Sequence, residues 1–312
     1  MKAPYLLHFE VPFKIVAGAS AQGPAYRLTT ASATDQYVFD TATLVVQRLN
    51  LHPFYVELFE LNTRDPFSLG LELAVPRHFL FFMRHGQARF TTPEGFYLSQ
   101  APEAHLCACY KASGYYRVSL RRGRHVACCV NLDPDWLDYA TEKLPVFRYA
   151  AGSPLSCTFL PYVPIDPYIR QRLEEVLMFK RNGHGRLDGF LRLKFAEILE
   201  YYAPRAEDRQ QGLASRIYGH LQEHFTDPGI SYQHLSARFK EGERRLRYHF
   251  YKEYGISIHQ FLTHKRLQLA HRLIMQEGLP IRDVYLPAGY HDESTFRYAY
   301  RNFFLSIGKS DF

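Results

Sequence analysis

The amino-acid sequence predicts an α+β protein with a β-rich region followed by an all-helical region. Three observations lead to this fold class. The chain has 312 residues, which exceeds what one hydrophobic core usually holds and favours two domains. Short apolar runs separated by turn residues fill the first part up to about Val130. From Leu213 onward the apolar residues recur at helical spacing, and one pattern occurs twice.

The first part has the pattern of a β-sandwich or barrel. Turn sequences such as Arg-His-Gly and Thr-Pro-Glu-Gly separate its short runs. Aromatic residues make up 15% of the chain, and aromatic side chains pack well on a pleated surface. The predicted strands include Thr43–Arg48, Phe54–Leu61, His78–Met83, Ala88–Thr91 and His125–Val130.

Two Asp-Pro pairs mark the starts of helices that follow the strands. Proline is favoured in the first helical turn, so Asp133-Pro134 predicts a helix over about 133–143, and Asp166-Pro167 begins a helical region over about 166–203. Apolar residues at helical spacing on both sides of a turn at 182–185 predict an antiparallel helix pair in this region. We expect the pair to mediate self-association through Leu191 and Phe195, with packing against its own domain as the alternative. The polar stretch Pro204–Gly212 predicts a linker between domains 1–204 and 213–312.

The last hundred residues contain a duplicated unit. Ser231 is a typical N-cap for a short helix, which precedes a helix over Glu243–Tyr254. A second short helix from Ile281 to Gly289 precedes a helix over Asp292–Phe304. The inward residues of the two longer helices lie fifty positions apart, as Leu246 and Phe296 do.

A long amphipathic helix over Ile258–Met275 joins the two units. Eighteen residues at about 1.5 Å each span about 27 Å, close to the ~34 Å of one DNA turn. Two helix-turn-helix motifs held at this distance can enter successive major grooves on one face of a duplex. This spacing indicates a DNA-binding function.

The region from Leu213 to Phe312 resembles the DNA-binding domain of the AraC/XylS family of transcription regulators. The matching residues are Ile230, Ser231, Leu235, Leu246, Phe250, Gly255, Arg266-Leu-Gln-Leu-Ala270, Ile281-Arg-Asp-Val284, Gly289, Tyr290, Ser294 and Phe296. The resemblance implies a cytoplasmic regulator that binds double-stranded promoter DNA, and that contacts RNA polymerase if it is an activator. It also implies a cupin-like front barrel that senses a small-molecule effector or forms a homodimer.

Several residues depart from the family pattern. Lys240 and Gly242 stand where a glycine and a capping serine are usual in the first motif. The second motif has Tyr285 in place of a small residue, Pro287 inside its predicted short helix and Leu305 in place of a closing glycine. We therefore expect the first motif to dominate base reading. The alternative is a degenerate AraC-like protein that acts through protein contacts or non-specific DNA binding.

Family position and helix geometry select the residues that face DNA. Arginine at such positions most often binds the O6 and N7 atoms of guanine, although a phosphate contact or a solvated helix face is the alternative for each. We expect Arg301 to contact phosphate. The predicted DNA-binding residues are Arg244, Arg245, Arg247, Tyr248, Tyr251, Glu293, Thr295, Arg297, Tyr298 and Arg301.

The front domain offers weaker signals. A ligand pocket bordered by Arg89, Tyr97, His105 and Tyr116 is expected if these side chains face a barrel interior, but a register slip of one residue would turn them outward. The histidines lack the His-x-His spacing of a metal-dependent cupin, so we expect neither an enzyme nor a metal or other cofactor. The five cysteines, including Cys157, are odd in number and favour buried thiols over disulfides, with a redox or metal sensor as the alternative.

Charge and hydropathy exclude other classes. The formal net charge is +7 at pH 7, which suits but does not require a nucleic-acid partner. Charged residues and Pro12 interrupt the first sixteen positions, so we expect no secretory signal. No run reaches the roughly 18 apolar residues of a membrane span, and we expect no contact with a membrane.

Overall fold

The computed structural model describes residues 3–17, 25–142, 144, 158–180 and 184–307. The chain forms two compact units. One comprises the residues up to Phe90 together with Gln100–Asp208, and the other comprises Thr91–Ser99 together with the residues from Arg209 onward. The first is rich in strands and the second is helical, which confirms the predicted fold class.

The described strands pair into a five-stranded and a nine-stranded sheet. In the smaller sheet the order is β1-β6-β11-β8-β9. In the larger the order is β13-β10-β7-β12-β5-β4-β3-β2, with β14 also paired to β10. The strands are β1 (Leu6–Phe9), β2 (Lys14–Ala17), β3 (Ala33–Val38), β4 (Ala42–Leu51), β5 (Phe54–Thr63), β6 (Phe67–Leu73), β7 (Arg77–His85), β8 (Ala88–Thr91), β9 (Tyr97–Ala101), β10 (His105–Lys111), β11 (Gly114–Leu120), β12 (Gly123–Leu132), β13 (Thr158–Phe159) and β14 (Val163–Pro164).

The five strand runs selected from the sequence all lie within observed strands, so these predictions are confirmed. Strands β4 and β5 pair in antiparallel orientation, and Leu44 opposes Leu61 across them. Because side chains alternate along a strand, the larger sheet has two distinct faces. Val56 and Leu58 lie in the core shared with helices, whereas Phe59 and Leu61 line a cavity on the other face.

Helices cover one face of the larger sheet. They are α1 (Pro134–Thr141), α2 (Pro167–Leu177) and α3 (His184–Gln211). The Asp133 and Asp166 side chains accept hydrogen bonds from backbone amides of the first turns of α1 and α2, which explains why these helices begin where the sequence predicts. Trp136 packs at 4.6 Å between ring centroids against Phe54 of β5.

The division between the two units falls between Asp208 and Arg209, inside the stretch Pro204–Gly212. This stretch is helical up to Gln211, because α3 continues through Pro204. Leu191 and Phe195 are fully buried in the core of their own unit. They therefore cannot form the self-association surface that the sequence predicts.

The second unit contains the remaining described helices. These are α4 (Leu213–His224), α5 (Tyr232–Phe239), α6 (Glu243–Tyr254), α7 (Ile258–Met275), α8 (Ile281–Val284) and α9 (Glu293–Ile307). The predicted bounds of α6 and α7 are confirmed. The short helix of the second motif ends at Val284, so Pro287 follows α8 instead of lying inside it.

Cys107, Cys109 and Cys128 are buried free thiols, and Cys129 is a free, half-buried thiol. This agrees with the prediction of buried thiols for Cys107, Cys109 and Cys128. Cys157 lies outside the described residues. Within the described part of the chain, no helix combines the length and the apolar character needed to span a membrane.

Candidate functional site

A cavity of about 90 Å³ lies between the two sheets of the β-rich unit. Apolar side chains from both sheets line most of it, with Tyr5, Lys111 and His125 as the polar members. The Tyr5 hydroxyl donates to the Glu57 carboxylate, and a ring nitrogen of His125 lies 2.6 Å from the carbonyl oxygen of Arg121. Unlike these two residues, Lys111 has no hydrogen-bond partner among the described residues.

Lys111 is a buried cation at the wall of this cavity. Its side chain is 4% exposed, and its Nζ atom has no hydrogen-bond partner among the described residues. Three aromatic rings surround the ammonium group, with centroids 4.4 Å away at Phe90, 4.6 Å at Tyr116 and 4.8 Å at Phe159. Cation–π attraction offsets part of the cost of burying this charge. An uncompensated positive charge is therefore available to an anionic group entering the cavity.

The four residues predicted to border a ligand pocket lie elsewhere. Tyr116 places its ring beside Lys111, but its hydroxyl donates to the carbonyl of Ala112 at 2.8 Å. Arg89 donates to Gln100, and His105 bonds the carbonyl of Glu103 at 2.7 Å. Tyr97 belongs to the helical unit, where its hydroxyl donates to the carbonyl of Tyr254. None of these four is among the residues that line the cavity.

Lys111 could have been found from the pattern of β10. Residues at alternate positions of a strand share one face, so Lys111 follows Cys107 and Cys109 on the same side. Lysine is almost never fully buried without a partner. A lysine on the same strand face as two buried cysteines is therefore the signal that could have predicted this site.

The first helix-turn-helix motif is formed by α5 and α6. The Ser231 hydroxyl caps α5 by accepting from the amide of His234 at 3.2 Å. Lys240 ends α5 in the left-handed conformation, with φ of 54°, which confirms that this position suits a glycine. Leu246 and Phe250 of α6 are fully buried. This burial fixes the rotation of α6 about its axis.

The predicted DNA-facing residues of α6 all lie on its exposed side. Arg247 is held by an ion pair with Glu243 and by the ring of Tyr232, whose centroid lies 4.1 Å from its guanidinium carbon. Arg245 pairs with Glu241 at 3.0 Å. The exposed positions are Arg244, Arg245, Arg247, Tyr248 and Tyr251.

The second motif is formed by α8 and α9. Gly289 adopts φ of +85°, and a Cβ atom there would lie 2.8 Å from the Cα atom of Thr226. The Asp292 carboxylate accepts from the amide of Thr295 at 2.7 Å and from the hydroxyl of Ser294 at 3.0 Å. The hydrogen bond from the Thr295 amide is the main reason why the pKa of Asp292 is lowered. The second helix therefore has a side-chain cap, whereas Gly242 gives α6 none.

The second recognition helix exposes the predicted residues as well. Arg297 donates through Nε to Glu293 at 2.6 Å. Phe296 is fully buried beneath them. Thr295, Arg297, Tyr298 and Arg301 are exposed, and Glu293 is half-buried.

Helix α7 connects the supports of both motifs. Phe261 and Leu262 in its first half pack in the apolar cluster that holds Leu246, and Leu267 and Ala270 in its second half pack in the cluster that holds Phe296. The guanidinium group of Arg266 donates to the carbonyls of Phe225 and Asp227 at 2.7 and 2.8 Å. The same helix thus supports the exposed faces of both motifs.

Residues 229–306 match the family model described as "Helix-turn-helix domain". A search of curated proteins gives no match. Among solved structures, the chain is similar to ToxT from Vibrio cholerae, with 11% identity, coverage of 80% of this chain and 93% of that chain, and a TM-score of 0.34.

Two further structures illustrate the range of similarity. The AraC-like transcriptional activator CuxR has 11% identity, with 80% of this chain and 86% of that chain covered, at a TM-score of 0.32. The C-terminal domain of the response regulator yesN from Fusobacterium nucleatum has 22% identity, with 29% and 88% covered, at a TM-score of 0.28. Residues 229–306 are thus similar to a helix-turn-helix domain family, and the matched range contains both motifs and the connecting helix α7.

Proposed function

We propose that the protein is a transcription regulator that reads promoter DNA with α6 and α9 and senses an effector in its β-rich unit. The observation that carries the DNA-binding part is the pair of exposed recognition faces joined by α7. Each face presents an arginine beside apolar anchors that fix the helix rotation. Arginine in a major groove can bind the adjacent acceptors of guanine with two hydrogen bonds.

The recognition faces also carry groups suited to phosphate. Arg244 and Arg245 lie at the start of α6, and Arg301 lies one turn beyond Arg297 on α9. A side chain that contacts only phosphate strengthens binding to every sequence and adds to its salt dependence. Arg301→Ala should therefore weaken cognate and random DNA equally and reduce the salt slope by about one unit.

Selection of bound sequences from a random DNA pool tests the proposal. The full-length chain should enrich a defined motif and bind it far more tightly than random DNA at physiological salt. A pool that shows no enriched motif would contradict sequence-specific reading. It would favour the alternative in which the protein acts through protein contacts or non-specific DNA binding.

The cavity beside Lys111 favours effector sensing in the β-rich unit. Its walls are almost entirely apolar, and among the described lining residues the Lys111 ammonium group has no hydrogen-bond partner. A ligand that complements both features has a hydrocarbon body and one carboxylate. Its small volume favours a short chain or a single ring, since an engineered cavity of about 150 Å³ binds benzene.

Thermal unfolding of the full-length chain with straight-chain carboxylates tests this assignment. The matched alcohols of equal length are the control for the apolar body. A ligand that binds only the folded state raises the midpoint in proportion to its occupancy, so the carboxylates should raise it and the alcohols should not. Lys111→Met should abolish the shift. Equal shifts for acids and alcohols, or a shift that persists in Lys111→Met, would contradict the role of Lys111.

A further inference from the structure

We propose that the two recognition helices read the same bases, so that the target DNA carries two copies of one short sequence about one helical turn apart. This inference rests on the proposed DNA-binding function and specifies its target. The observation behind it is a correspondence between the exposed residues of α6 and α9.

The correspondence covers three positions of the two recognition helices at an offset of fifty residues. Glu243 and Glu293 are the first residues of their helices. Arg247 and Arg297 follow one turn later, and Tyr248 and Tyr298 come next. The tyrosines have similar exposure, 58% and 65%.

The internal contacts of the two faces correspond as well. Glu243 forms an i,i+4 ion pair with Arg247, and Glu293 forms the same pair with Arg297. The two arginine side chains are 58% and 51% exposed. Each carboxylate thus holds its guanidinium group at the same height on its helix. A duplicated helical core would require only its buried residues to match, and not these solvent-side ion pairs.

The buried anchors give the two helices the same orientation toward DNA. Leu246 and Phe296 each precede the paired arginine by one residue, and both are fully buried. Successive residues of a helix differ by about 100°. Burial of the anchor therefore turns the following arginine and tyrosine toward the same side in both motifs.

The shared residues specify a chemistry for the bases. Arginine binds guanine at O6 and N7, glutamate accepts from the amino group of cytosine, and an apolar surface such as a tyrosine ring can contact the thymine methyl group. Residues four apart are separated by about 6 Å along a helix axis, or about two base-pair steps of 3.4 Å. Each copy should therefore contain a guanine for the arginine and a cytosine within about two base pairs of it.

The other exposed positions differ between the two helices. We expect them to change the affinity for DNA more than the choice of base. Arg244 and Arg245 of α6 correspond to Ser294 and Thr295 of α9. The first helix therefore carries more positive charge near its DNA-facing end. We expect the copy bound by α6 to contribute more affinity, while the guanine preference is common to both copies.

Sequence selection with the full-length chain gives the first measurement. The enriched motif should contain two occurrences of the same short sequence, with centres about 10–11 base pairs apart. Two unlike halves, or a single half, would overturn the inference while the proposed DNA-binding function stands. Absence of any enriched motif would instead contradict the proposed function itself.

Matched variants give the second measurement. Arg247→Ala should remove the guanine preference in one copy and Arg297→Ala in the other, each lowering discrimination at that base about 10- to 100-fold. Arg247→Lys and Arg297→Lys retain the charge but lose the paired donors, so they should lose discrimination and retain binding to random DNA. Arg272→Ala, an exposed change on α7, should leave both preferences intact. Loss of preference for different bases in the two alanine variants would overturn the inference.

Discussion

Gly289 is the position where a single methyl group should most clearly perturb the second motif. At φ of +85° an alanine pays about 1–2 kcal/mol for the left-handed conformation. Its Cβ atom would also lie 2.8 Å from the Cα and carbonyl oxygen atoms of Thr226. Backbone atoms cannot rotate away as a side chain can, so this overlap should add about 1–3 kcal/mol. Gly289→Ala should therefore lower the free energy of unfolding by about 2–5 kcal/mol.

Gly278→Ala is the matched control. Gly278 has φ of +69°, but a Cβ atom there meets nothing within 4 Å, so only the conformational cost of about 1–2 kcal/mol applies. Urea unfolding followed by far-UV circular dichroism measures both variants. Fluorescence of Trp136, the single tryptophan, reports on the β-rich unit and should be unchanged. Equal destabilisation by the two variants would refute the steric argument.

Four further changes test other parts of the structure. Asp292→Ala should lower the free energy of unfolding, because α9 loses its side-chain cap. The folded pKa of Asp292 is lowered, so the difference in free energy of unfolding from wild type, measured by far-UV circular dichroism, should shrink below about pH 4 and vanish as the pH falls through that lowered pKa. Burial lowers the pKa of Lys265 to about 8. Below that pH the folded protein holds a buried charge, and between about pH 8 and 10.4 Lys265 loses its proton in the folded state before it does in the unfolded state. The free energy of unfolding should therefore rise by at most about 3 kcal/mol across this range. Lys265→Met should remove that rise in urea titrations. Arg48→Ala leaves Glu57, which is 2% exposed and bonded to Arg48 at 2.8 Å, without its cation, and should lower the stability seen by tryptophan fluorescence by about 3–5 kcal/mol. Lys240→Gly should raise the urea midpoint measured by far-UV circular dichroism, because glycine adopts φ of 54° without strain. The expected net gain in the free energy of unfolding is about 0.5–1 kcal/mol.

The sequence predicts elements whose own periodicity and caps determine them. The predicted bounds of α6 and α7 follow from apolar residues at helical spacing. In the structure Ser257 also caps α7 through a capping box with Gln260. The strands in the first unit follow from alternation and from the turns between them. Local signals suffice in these cases because the side chains that stabilise each element lie within it.

Features that depend on distant contacts could not be predicted in this way. Pro204 suggested an interruption, but α3 continues through it because Tyr202, Ala203 and Ala206 pack in the core. The cavity at Lys111 requires strands from two sheets, and its position depends on register, which one sequence does not determine.

The role of Asp292 as a cap was also missed, although Asp before a helix is a common start signal.

The two helix-turn-helix motifs differ most in the parts that support them. The supporting helix α5 spans Tyr232–Phe239, whereas α8 spans only Ile281–Val284. The turn before α6 uses Lys240 in a left-handed conformation, whereas that before α9 uses Gly289 packed against Thr226. A helical core alone would require only the buried anchors of the two units, such as Leu246 and Phe296, to match. The Glu, Arg and Tyr positions on the solvent side are equivalent as well, although the supports have diverged. This equivalence argues that these three positions are the functional part of both motifs.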